Sequence, residues 1–157
     1  HRAHQHGYAN MVIAWSGFDL SVQLQTPAYN ILGFENVPST ATQKELLMQS
    51  VSTLKAGDVF RPTQDAQCAL VTADVWTELM PNKHRPEVGH GGEPTGHSDF
   101  EASYSLHCTQ PDKLKDLDAR RLFKLFPNFT LIRVQWISDR QQSATTLTSE
   151  ECVITFE

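Results

Sequence analysis

Two short segments of this chain hold six of its seven histidines: HRAHQHG at the start and NKHRPEVGHGGEPTGHSDF at residues 82–100. The first carries His1, His4 and His6, the second His84, His90 and His97, with Glu87, Glu93 and Asp99 among them. In an extended chain, side chains at i and i+2 point the same way with their Cα atoms roughly 6.6 Å apart. That spacing suits two donors converging on one divalent ion at about 2.0–2.1 Å per nitrogen. His4 with His6, and His97 with Asp99, both have it. Two such pairs complete a tetrahedral nitrogen and oxygen site for Zn2+ without any cysteine, and copper(II) or nickel(II) compete for the same donors. We therefore expect one tight zinc ion held by His4, His6, His97 and Asp99. His1, Glu101, His84 and His90 are the secondary candidates. His107 shares a strand face with Asp99, but eight residues separate them by roughly 26 Å, which excludes it from the same ion.

The elements that must position these groups follow from hydropathy patterning. Met11, Ile13 and Trp15 alternate, as do Phe18, Leu20, Val22 and Leu24, and Ser16-Gly17 lies between the two runs. The pattern predicts a β-hairpin with one buried face. An irregular connection over residues 26–38 follows. Thr40 and Gln43 then have capping-box spacing, with Leu47, Val51 and Leu54 on one face and Gly57 as a stop, so a helix is expected over about 40–56. Strands are expected at 68–78, 99–108 and 129–138, and a last one near 152–156. Short helices run from Pro111 and from Asp118 to Phe126, and a polar turn covers residues 139–146. The order ββαββαββ argues an α+β fold: an antiparallel sheet of about six strands with helices packed on one face. We expect one domain over residues 1–157, with a flexible loop at about 82–97. The arm bearing His4 and His6 leads into the first strand and can fold over as the mobile half of the site. Asp99 enters the sheet and serves as the rigid half.

Composition limits the partners. Hydrophobic residues are 39 % and charged residues 20 %, with a formal charge of −5 and no basic run. Nucleic acid is therefore not expected as a partner. No apolar stretch reaches the ~18–20 residues of a membrane span, so no membrane insertion is expected. There is no leader-like segment, so any secretion signal is expected to have been removed. Of the three cysteines, Cys68 and Cys108 lie at strand ends that antiparallel pairing would bring together, and we expect a disulfide there. Such a bond belongs to an oxidising compartment such as the periplasm. Cys152 is then a buried free thiol.

HRAHQHG, TPAYNILGFENVPST, HSDFEASYSLHCTQP and RRLFKLFPNFTLIRVQW together resemble the ZrgA-type zinc-regulated proteins of the Gram-negative periplasm. The resemblance covers nearly the whole chain and is most specific at PAYNILGFE and HSDFEASY. It implies a secreted zinc-binding protein, not an enzyme, that assists zinc acquisition by supplying the periplasmic component of a zinc ABC importer. The family's insert is usually a long run of His, Asp and Glu, whereas here it is short and broken by Pro and Gly. Asn36 stands where the family tends to have a histidine, and Glu35 beside it is implied as a nearby acidic residue. Two other readings stay open. If His1 is a mature N-terminus, its amine and ring can chelate copper, as in copper-brace oxidases. The exposed loop can also serve a non-metal protein-interaction module. HExxH is absent, which argues against a zinc hydrolase.

Overall fold

The computed structural model describes residues 5–81 and 98–156. The hairpin forms as the alternation predicts. Strand β1 (Tyr8–Ser16) pairs antiparallel with β2 (Asp19–Pro27), with Ser16 opposite Asp19. The two-residue turn needs a left-handed backbone, which Gly17 supplies at φ 57. Phe18 does not join the buried row with Leu20, Val22 and Leu24. It is the second turn residue and is exposed, because the turn consumes the position that alternation assigned to the strand.

The short helix α1 (Ala28–Leu32) follows β2 directly, inside the connection expected to be irregular. Its five residues are too few to show a helical period. Helix α2 (Ala41–Lys55) matches the expected one, and the Thr40 side chain accepts from the Gln43 backbone N–H at 3.1 Å. Two-residue β3 (Arg61–Pro62) precedes β4 (Cys68–Thr77), which pairs antiparallel with β5 (Asp99–Cys108). Then come β6 (Asp116–Asp118), α3 (Arg120–Leu125), β7 (Leu131–Ile137), β8 (Gln142–Leu147) and β9 (Val153–Thr155). Among the described residues there are nine strands and three α-helices, an α+β fold. The larger sheet has six strands in the order β4-β5-β2-β1-β7-β8, and β3, β6 and β9 form a small second sheet. The last strand therefore lies outside the main sheet. Residues 142–146, expected within a polar turn, and Leu147 supply the edge strand β8, whose side chains are nearly all exposed and so leave no apolar signal. One pair departs from antiparallel geometry: β7 runs parallel to β1, with Tyr8 opposite Leu131. No helix among the described residues is long and apolar enough to cross a membrane.

One sheet face carries the core. Met11, Ile13, Leu20, Val22, Leu24, Phe100, Ala102, Tyr104, Ile132, Val134 and Trp136 are buried on it. Helix α2 adds Leu47, Val51 and Leu54, and the Tyr104 hydroxyl donates to the Leu54 carbonyl at 2.7 Å. Each fully buried Leu, Ile or Val stabilises by roughly 1.5–3 kcal/mol, so this face anchors the strands that begin just after His6 and at Asp99. Cys68 and Cys108 are register partners at the far end of β4 and β5 and form the expected disulfide, with Cα atoms 3.9 Å apart. Cys152 is a buried free thiol. The loop expected at about 82–97 lies outside the described residues.

Candidate functional site

The chain reaches β1 through a clamp. Gly7 takes φ 90, and a Cβ there would meet Thr130 Oγ1 at 2.5 Å, so only glycine fits. Its N–H donates to Asn30 Oδ1 at 2.6 Å, and its carbonyl accepts from the backbone N–H groups of Thr130 and Leu131 at 2.7 and 3.0 Å. Asn30, in α1, is fully buried. Its Nδ2 donates to the Tyr8 carbonyl and to Thr26 Oγ1, both at 3.0 Å. One amide thus ties the start of β1, the end of β2 and α1 together. Buried polar groups persist when so partnered.

The clamp presents His6. Its ring stacks on Tyr29, with centroids 4.0 Å apart and planes 6° from parallel. Its Nε2 lies 2.9 Å from Glu35 Oε1. Tyr29 and Glu35 flank the ring because α1 stops between them. Gly33 closes the helix at φ 82, donating to the Tyr29 carbonyl at 2.8 Å, and turns the chain back towards the arm. Asn128 Nδ2 donates to the same carbonyl at 3.3 Å. The His6 side chain is 50 % exposed and that of Glu35 17 %, so an ion can approach the ring while the carboxylate sits deeper.

Asp99 is the first residue of β5 and stands opposite Pro27. Its N–H donates to Glu78 Oε1 at 2.7 Å, and the neighbouring Ser98 carbonyl accepts from Ala28 N–H at the same distance. Strands β5 and β1 flank β2, so the start of β5 and the start of β1 share one sheet end at a lateral spacing of roughly 10 Å. Glu101 is half-buried between Gln25 and Trp76 on the outer face. His107 is at the opposite end, beside Asp19, with Nδ1 3.7 Å from Asp19 Oδ1 and Phe18 tilted against it. His1, His4, His84, His90 and His97 lie outside the described residues, as does the copper-brace reading that rests on His1. Among the described residues, no three His, Cys, Asp or Glu side chains gather closely enough to hold a metal. His6, Glu35 and Asp99 therefore do not make a ready three-ligand set. Residue patterning did not single out Tyr29 or Asn30, and Glu35 entered only through resemblance. Their signal was the PAYNILGFE stretch itself, which neither composition nor periodicity accounts for.

The family model described as ZrgA family zinc uptake protein matches residues 3–156 of the sequence. No curated protein matches it.

Proposed function

The chain belongs to the ZrgA family of zinc uptake proteins, and we propose that it is a periplasmic zinc carrier supplying the periplasmic component of an ABC importer. The reading is of a binder rather than an enzyme, one domain whose cargo is a single Zn2+ held by His4, His6, His97 and Asp99. The observation that carries it is the fixed pose of His6 against Glu35 and Tyr29, at the same sheet end as Asp99. A half-exposed His6 ring at the rim of the sheet suits a carrier, since an acceptor can reach it without unfolding the core. Neutral imidazoles and an ionised carboxylate match the donors zinc prefers.

The test is zinc titration by calorimetry against a competing chelator. His6→Ala and Asp99→Ala should each weaken binding at least ~10–100-fold, the scale reached even when a partner of a ligand is lost. His84→Ala and His90→Ala should do much less. Unchanged affinity in both His6→Ala and Asp99→Ala would move the site elsewhere, with Glu101 and His107 the next residues to substitute. Delivery is tested separately, by following zinc transfer from the loaded chain to the importer's purified periplasmic component.

A further inference from the structure

His6 has two ring nitrogens, and among the described residues one of them, Nε2, is committed. Glu35 Oε1 lies 2.9 Å from Nε2. An ionised carboxylate can only accept, so Nε2 carries the hydrogen of this bond and the neutral ring keeps its lone pair on Nδ1. We propose that Glu35 is a positioning residue: it selects the tautomer in which His6 offers Nδ1, not Nε2, to zinc. The inference rests on the zinc-carrier reading above and specifies how that site is built.

Three observations support it. First, Tyr29 stacks on the ring at 4.0 Å and 6°, which fixes the ring plane and leaves only the half-turn flip about Cβ–Cγ to be settled. The bond to Glu35 settles it. Second, the platform is itself held: the Tyr29 carbonyl accepts from Gly33 and Asn128, and the backbone next to His6 is clamped by Asn30. Third, coordination through Nε2 would have to break the existing contact. Two ligand atoms of one tetrahedral zinc stand roughly 3.3 Å apart with the ion between them, so the pair would have to open and the Nε2 hydrogen would have to leave. Coordination through Nδ1 keeps the bond intact. A carboxylate accepting from the far nitrogen also makes the near one a better donor to the metal.

Long-range proton–nitrogen correlation spectra of the 15N-labelled full chain, with and without zinc chloride, decide the matter. Metal-free His6 should be the Nε2–H tautomer, and zinc should shift the Nδ1 resonance while that hydrogen stays. Glu35→Ala should give a mixture of tautomers and weaken zinc about 10–100-fold. Glu35→Gln, whose amide oxygen still accepts, should keep the wild-type tautomer and recover part of the affinity, and Tyr29→Phe should behave as wild type. Zinc on Nε2 with the hydrogen moved to Nδ1 would overturn the proposal. So would a Glu35→Ala variant with unchanged tautomer and affinity, while His6 still responds to zinc. Zinc that binds without moving either His6 nitrogen would instead overturn the carrier site itself.

Discussion

Replacing Asn30 with alanine should destabilise the fold and loosen the site together. Three groups lose a partner: the Gly7 N–H, the Tyr8 carbonyl and Thr26 Oγ1. Thr26 still donates to the Pro27 carbonyl at 3.1 Å, so its loss is partial. The bond to Tyr8 is only part-buried, so water can take over there. The Gly7 N–H bond is the buried one. An orphaned buried donor costs about 1–3 kcal/mol, and with smaller contributions from the other two we expect a loss of about 2–4 kcal/mol. At ~2–4 °C per kcal/mol for a chain of 157 residues, the Tm should fall by roughly 5–15 °C. Urea unfolding followed by tryptophan fluorescence measures it, with the m-value unchanged if only the native state is affected. Asn30→Asp is the sharper variant. It keeps the acceptor for Gly7 but loses the Nδ2 donor and sets a carboxylate against the Tyr8 carbonyl, so it should cost at least as much as alanine. A loss under about 0.5 kcal/mol in both variants would refute the clamp.

The remaining expectations follow from single contacts. Thiol counting in denaturant should find one reactive group before reduction and three after, because Cys68 and Cys108 are bonded and Cys152 is free. Breaking that bond, which closes a span of 40 residues, should cost roughly 3–4 kcal/mol in the chain-entropy model. Gly7→Ala should destabilise by more than ~1 kcal/mol and weaken zinc binding, since its Cβ collides with Thr130 and its φ is left-handed. Burial, helped by nearby Asp58, raises the Tyr104 pKa above its ordinary value of about 10. The folded state then holds a proton that the unfolded state gives up, so stability is full below about pH 10 and is lost as pH rises beyond it. Alkaline unfolding of Tyr104→Phe should lack this contribution, and an unchanged pH profile would refute the assignment.

What could be read from sequence was what repeats along the chain. Period-two alternation placed β1, β2 and β5, and Thr40 with Gln43 placed the start of α2, because those signals are local. Pairing 68–78 with 99–108 followed, and with it the disulfide. The losses are elements without a period. Helix α1 is a turn and a half long, and β8 is an exposed edge whose Ser and Thr side chains imitate a loop; β9 was expected as a strand, but nothing in its three residues marks it for a second sheet. The parallel pairing of β1 with β7 was hidden for another reason: it joins segments more than a hundred residues apart, and neither carries a mark of its neighbour's direction. At the candidate site the histidines announced themselves by type. Their holders did not, since Asn30 and Tyr29 matter through contacts with the arm that only the fold creates.

That arm changes how release of the ion must be understood. From sequence, the segment bearing His6 was the natural mobile half, free to fold over a rigid Asp99. Yet Gly7 is bonded on both sides, to Asn30 through its N–H and to β7 through its carbonyl, and the His6 ring lies flat on Tyr29. Hinging His6 away would break these contacts together. Asp99 is equally fixed, at the head of a strand paired on both edges. If both are ligands as proposed, two pre-placed donors lower the ordering cost of capture, which favours affinity. They also mean that, at His6, release cannot draw on disordering of the chain without breaking the Gly7 and Tyr29 contacts. On the proposed site, zinc is surrendered to an acceptor that reaches the half-exposed ring and competes for the ion ligand by ligand. Transfer should then depend on acceptor concentration rather than follow the slower, acceptor-independent loss of zinc to a chelator. An acceptor-independent transfer rate would put the mobile element back in the arm.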